Sequence, residues 1–115
     1  MVLQSIEVII AKSQHHLLYK PLIHQLNKDF ALAGLEEKLH DSLNPIALEK
    51  TLCDTVYRIM TEWPSKYSNL MYLIDIPEAQ LQQLNHKHPK RITSQVVYLI
   101  LQREWQKVWF RKNYS

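Results

Sequence analysis

The sequence predicts an all-α protein: one domain over residues 1–115, built as an irregular or orthogonal bundle of four long helices with one or two short ones. One glycine and five prolines in 115 residues leave few positions for the φ > 0 turns of tight hairpins, which disfavours a strand meander. A composition of 46% hydrophobic and 22% charged residues is that of a globular chain rather than a disordered one, and the length suffices to bury a core without staples. The apolar residues recur at threes and fours, in blocks too unequal in length for a regular four-helix bundle.

VLQSIEVII opens the chain with Val2, Leu3, Ile6, Ile9 and Ile10 at helical spacing. Its β-branched content would also suit a strand, but no partner strand follows, so a helix over 2–10 is expected, with Lys12–His15 as the turn out of it. A second helix should start around Tyr19–Pro21, where proline is tolerated in the first turn, and place Leu18, Leu22, Leu26, Phe30 and Ala33 on one face. Gly34 stands where a left-handed C-cap residue is wanted. A short helical stretch over 35–43 is expected next. Asn44-Pro45 then supplies an N-cap and a first-turn proline for a third helix, which carries Leu48, Leu52, Val56, Ile59, Met60 and Trp63 in sequence and stops at Trp63-Pro64.

Beyond Pro64, Tyr67, Leu70, Met71 and Ile74 mark a short apolar helix. Asp75 and Glu78 have the spacing of a capping box around Pro77, which predicts a sharp restart into a helix carrying Leu81 and Leu84. A final long helix, capped by Thr93 or Ser94, should run to about Lys112 as the strut of the bundle. The predicted core is Leu22, Leu26, Phe30, Leu52, Val56, Ile59, Leu70, Ile74, Val97, Ile100 and Leu101.

The chemistry-bearing residues form no recognisable catalytic set. There is no Gly-rich phosphate loop, no GxSxG elbow and no HExxH, and Glu36-Glu37 is a pair in a polar turn. No catalytic residue, cofactor or metal site is therefore assigned. Of the six histidines, four cluster, as His86-Lys87-His88 and His15-His16, without the three or four convergent ligands that zinc requires. Cys53, the only cysteine, falls in an apolar-periodic segment and reads as a small buried hydrophobe. With no secretory leader pattern at residues 1–10 and no long uncharged apolar run, a cytoplasmic chain without a membrane span is expected.

Two stretches stand out. SNLMYLIDIP (residues 68–77) carries Met and Tyr at helical spacing, which suits core, and becomes the first place to look for a partner groove if exposed. REWQKVWFRK (residues 103–112) places Leu101, Trp105, Val108 and Trp109 on one face and Arg103, Lys107 and Arg111 in a separate row. The tryptophans are expected to pack inward and the basic row to face water. Seven of the fourteen Lys and Arg lie in residues 86–115 beside a single acid, Glu104, leaving seven against ten acids in residues 1–85. Such a basic end can attract an anionic partner or simply match the helix dipole.

The leading functional expectation is a non-catalytic protein-interaction or scaffold module, binding a protein partner or itself through Tyr67, Tyr72, Trp105, Trp109 and Phe110, residue types that anchor interfaces. The alternative is nucleic-acid binding, with Lys90, Arg91, Arg103, Lys107, Arg111 and Lys112 as phosphate contacts. A membrane-lying final helix is the weakest reading, because its aromatics are accounted for as core.

Overall fold

In the computed structural model, which describes residues 5–84 and 88–114, every regular element is a helix. They are α1 (Ile6–His15), α2 (Tyr19–Leu32), α3 (Pro45–Glu62), α4 (Pro64–Ile74), α5 (Glu78–Gln82) and α6 (Pro89–Tyr114). α6 is the strut, packed against α1, α2, α3 and α4. It can play that part because Ile92, Val96, Val97, Ile100, Leu101 and Val108 present an unbroken buried stripe along it. All eleven predicted core residues are fully buried.

α1 differs from its expected bounds. It starts after Ser5, whose hydroxyl accepts from the Val8 N–H at 3.2 Å as an N-cap, and it continues through Lys12–His15, where a turn was expected. Ser13 makes this possible: it is buried and its hydroxyl donates to the Ile10 carbonyl at 2.6 Å, so it sits on the apolar face of Ile6, Ile9 and Ile10 with its polar atom satisfied. Val2 and Leu3 lie outside the described residues.

No helix forms over 35–43. The segment spends its backbone groups on side chains instead: Asn27 donates to the Leu39 carbonyl at 2.8 Å and accepts from the Leu39 N–H at 2.7 Å, while Leu39 is buried beneath. The Tyr19 hydroxyl donates to the Leu43 carbonyl and closes the loop. Asn44 then caps α3 as expected, accepting from the Ala47 N–H at 2.8 Å.

Three helices share one ending. A residue at the C-cap or just after it turns left-handed, its N–H bonds three residues back, and the next N–H bonds five residues back, which satisfies two orphan carbonyls. In α2 this residue is Gly34 (φ 82), bonding Ala31, with Leu35 bonding Phe30. In α1 it is Leu17 (φ 60) and in α4 it is Asp75 (φ 72). Asp75 is therefore the terminator of α4, not the N-cap of a capping box; α5 begins after Pro77 without a side-chain cap. The last helix likewise starts at Pro89 rather than at Thr93, and Thr93, one turn inside, donates its hydroxyl to the Pro89 carbonyl at 2.8 Å.

Candidate functional site

The left-handed turn at Asp75 folds α5 back beside α4 and opens a cleft of about 550 Å³ between them. Met71 and Ile76, both buried, make its floor; Tyr67, Tyr72, Pro77 and Leu81 make its walls. Tyr72 is 81% exposed, so one tyrosine stands open to solvent over an apolar floor. SNLMYLIDIP thus divides: Leu70, Met71 and Ile74 enter the core, and Tyr72 stays outside it. The rim is acidic. Asp75 is held by Arg103, whose guanidinium donates to its carboxylate at 3.2 Å and to its carbonyl at 3.3 Å, whereas Glu78 makes no ion pair among the described residues. Burial first, and then the Glu78 charge, push the Tyr67 phenol above its ordinary range, so Tyr67 is a hydrogen-bonding wall and not a phenolate.

Arg103 is one of the six basic residues expected to meet phosphate, and its neighbours in the row are also engaged within the molecule. Lys107 donates to Asp29 of α2 at 2.9 Å and lies 3.3 Å from Glu104; Arg111 donates to the Gln25 side-chain carbonyl at 2.6 Å; Gln25 donates to Asp29 at 3.1 Å. The row that was expected to face water is thereby stitched to α2 and to the end of α4. The inward face of this part of α6 carries Leu101, Glu104 and Val108, with Trp105 and Trp109 half-buried on its flank. Lys90, Arg91 and Lys112 are exposed. Lys90 and Lys112 stand at opposite ends of α6, roughly 33 Å apart at helical rise.

In the sequence Glu104 reads only as the single acid of the basic end, although three positions after Leu101 and four before Val108 it falls on their face. It is fully buried. As a carboxylate it would have no hydrogen-bond donor in good geometry on either oxygen; as a carboxylic acid it can donate to Asp29. Burial, followed by the hydrogen bond and charge of Asp29, pushes its pKa up to about 9 against the pull of Lys107. Asp29 goes the other way. Burial alone would raise it, but hydrogen bonds from Glu104, Lys107 and Gln25, with the Lys107 charge, outweigh that and hold it below the ordinary carboxylate range. The cluster is a closed polar latch between α2 and α6.

The remaining aromatics gather at the far end of α6. Trp105 and Trp109 lie 5.6 Å apart, and the His16 ring packs edge-on against Trp109 at 4.7 Å, with Trp105 at 5.9 Å. Phe110, 61% exposed, stacks with Tyr114 at 5.0 Å. The five expected interface aromatics therefore fall into two groups, Tyr67 and Tyr72 at the α4–α5 cleft and Trp105, Trp109 and Phe110 near the α1–α2 turn.

Cys53 lines a second cleft, about 450 Å³, between α1 and α3 with Ile10, Ile46, Glu7 and Glu49. Burial, then Glu49 and Asp54, push its thiol up, the opposite of what activates a nucleophilic cysteine. Among the described residues no three His, Cys, Asp or Glu side chains converge as metal ligands. His15 and His16 meet edge to edge at 5.0 Å, and His88 is exposed; His86 and Lys87 lie outside the described residues. No helix among the described residues is long and apolar enough to cross a membrane.

No family model, curated protein or solved structure matches this chain.

Proposed function

We propose that the protein is a non-catalytic protein-interaction module that receives a partner segment in the α4–α5 cleft. The observation that carries this reading is Tyr72, 81% exposed beside an open cleft with the buried Met71 and Ile76 as its floor. A tyrosine supplies large, rigid contact area with a polar tip, and an adjacent apolar recess gives a partner side chain somewhere to go. Glu78 on the rim, with no ion pair among the described residues, suits a partner that presents a Lys or Arg next to its apolar anchor.

The nucleic-acid reading has less support. Arg103, Lys107 and Arg111 already hold Asp75, Asp29 and Gln25, and contacting phosphate with them would first break those ties. The outward-facing remainder is too widely spaced for one patch.

A displayed library of random peptides, selected on the intact chain, tests the interaction reading. Enriched peptides should share an apolar residue next to a Lys or Arg, and should lose at least about tenfold in affinity on Tyr72→Ser or Glu78→Lys, the scale of one interface anchor. If nothing is enriched, or the enriched peptides bind both variants as well as the parent, the α4–α5 cleft is not the partner site.

A further inference from the structure

A second surface, separate from the α4–α5 cleft, is built around the α1–α2 turn. Leu17 stands at its apex with φ 60 and 88% of its surface in solvent. The left-handed conformation is disfavoured for a residue with a Cβ, and glycine takes the equivalent place in α2 at no such cost. A large aliphatic side chain thus occupies a position where it is strained and buries nothing. Strain and exposure at the same residue point to use by something outside the fold.

The surroundings say what kind of thing. The turn is anchored from below by His16 against Trp109 and Trp105. The ties of Asp29 to Lys107 and of Gln25 to Arg111 run antiparallel, four residues back on α2 for four forward on α6, so the last turn of α6 lies alongside the start of α2. Along the two stretches that meet at this end the charge is mostly basic, and the acid set against them, Asp41 of the loop over 35–43, is paired with His24 at 3.3 Å. From Val8 to Lys28 the chain contains Lys12, Lys20 and Lys28 and no acid, and after Glu104 it contains Lys107, Arg111 and Lys112 and no acid. Of the carboxyls that border those stretches, Asp29 and Glu104 are sealed in the latch, and the exposed Glu7 lies near the start of α1, away from the turn. Lys12 and Lys20 are exposed on either side of Leu17.

We propose that this end of the protein docks on an anionic lipid surface, with Leu17 entering the acyl boundary, Trp105 and Trp109 at headgroup level, and Lys12 and Lys20 on lipid phosphates. A lone protruding aliphatic side chain fits a fluid interface, which needs no preformed pocket, whereas a protein partner would have to supply a recess and nucleic acid has no use for it. Tryptophan suits the headgroup zone, with an apolar body and a polar N–H. Lysines near an anionic leaflet add attraction that salt weakens. The docking is peripheral, by one turn and its flanks, and not by a helix lying in the membrane plane.

Sedimentation with sucrose-loaded vesicles tests it, using the full chain and comparing phosphatidylcholine vesicles with vesicles containing one quarter phosphatidylglycerol. The protein should partition onto the anionic vesicles at least about tenfold more strongly than onto the neutral ones. Leu17→Ser should lower that partitioning about tenfold, and Lys12→Ala and Lys20→Ala about fivefold each. Leu32→Ser, at an exposed aliphatic residue at the opposite end of α2, should leave it unchanged. In a Trp63→Phe background, where Trp105 and Trp109 are the remaining tryptophans, emission should shift to the blue on anionic vesicles. Leu17→Gly relieves the turn, so its loss of binding is not a loss of folding. No partitioning at low salt, equal partitioning of Leu17→Ser and the parent, or displacement from vesicles by short duplex DNA with no dependence on Leu17 would each overturn the proposal.

Discussion

Asp29 of α2 and Glu104 of α6 face each other as a carboxylate and a carboxylic acid, with Lys107 within 2.9 Å of the first and 3.3 Å of the second. The pair makes stability depend on pH. Glu104 is raised to about 9 in the fold from an ordinary 4.5, so the folded state holds a proton that the unfolded chain releases. Its contribution is fully present below about 4.5 and is lost as pH climbs toward 9. Urea midpoints should therefore fall between pH 6 and pH 9. Glu104→Gln keeps the shape and a donor toward Asp29 while removing the titration, so its midpoint should stay flat over that interval and its unfolding free energy should exceed the parent's at pH 9 by on the order of a few kcal/mol. A parent whose midpoint does not move would show that Glu104 is not held protonated.

Asp29 governs the acid side. Its carboxyl is held below the ordinary 3.8, so its contribution is present above that value and is lost as pH falls through the lower folded one. Asp29→Asn should remove this acid limb and leave Lys107 without its closest counter-charge, at about 2–3 kcal/mol at neutral pH. Lys107→Met should also destabilise, and because Lys107 pulls Glu104 down, the alkaline decline should move to higher pH. Urea titrations of both variants at pH 3, 7 and 9 separate these effects; an alkaline limb in Lys107→Met that stays in place would mean that Lys107 does not act on Glu104.

The shared helix ending yields a prediction of opposite signs at two positions. Leu17 and Gly34 both take left-handed φ at the same place in the motif, but only Leu17 carries a side chain there. Leu17→Gly should raise stability by about 1 kcal/mol, because relief of the strain outweighs the added freedom of the unfolded glycine and almost no contact is lost. Gly34→Ala should lower it by about 1 kcal/mol from backbone strain alone, since nothing lies within 4 Å of the added Cβ. For a domain of this size each change corresponds to roughly 4 °C in Tm, readable by calorimetry. A destabilised Leu17→Gly would mean that the leucine holds the turn from within.

What could be read in advance follows the range of the interaction responsible. Leu22, Leu26 and Phe30, or Leu52, Val56 and Ile59, identify themselves because neighbours three and four residues away share a face. Asn44-Pro45 and Gly34 do so because capping chemistry is local. Asp75 misled for a related reason. Its spacing to Glu78 matched an N-terminal motif, whereas a chain with one glycine has to end other helices with Leu17 and Asp75, which carry no terminating signal. The loop over 35–43 escaped because Asn27 holds Leu39 from 12 positions away. The latch was least legible, since Lys107 and Asp29 are 78 positions apart. A buried Glu104 makes sense only once that partner is known, and without it periodicity assigns the inward face to the tryptophans and the outward face to the arginines. Tyr72 was legible as an interface residue type, but not the recess beside it, which the backbone turn at Asp75 creates.

The basic row of α6 gives the sharpest test of where those side chains go. Were Arg103, Lys107 and Arg111 solvated phosphate contacts, replacing all three with alanine would leave folding almost untouched and flatten the salt dependence of duplex binding by about three, one per contact. In the structure Arg103 holds the end of α4 through Asp75, Lys107 neutralises Asp29, and Arg111 satisfies Gln25. Arg103→Ala/Lys107→Ala/Arg111→Ala should then appear first as lost stability. The largest share comes from Lys107, whose removal leaves Asp29 buried without a cation; the exposed Arg103–Asp75 pair adds a few tenths to 1 kcal/mol. Together the three changes should cost about 3 kcal/mol by urea denaturation, while residual binding of short duplex DNA or RNA keeps the same slope of log affinity against log salt as the parent. A triple variant as stable as the parent whose salt slope has flattened by about three would place these side chains on phosphate and remove the latch from the account of this fold.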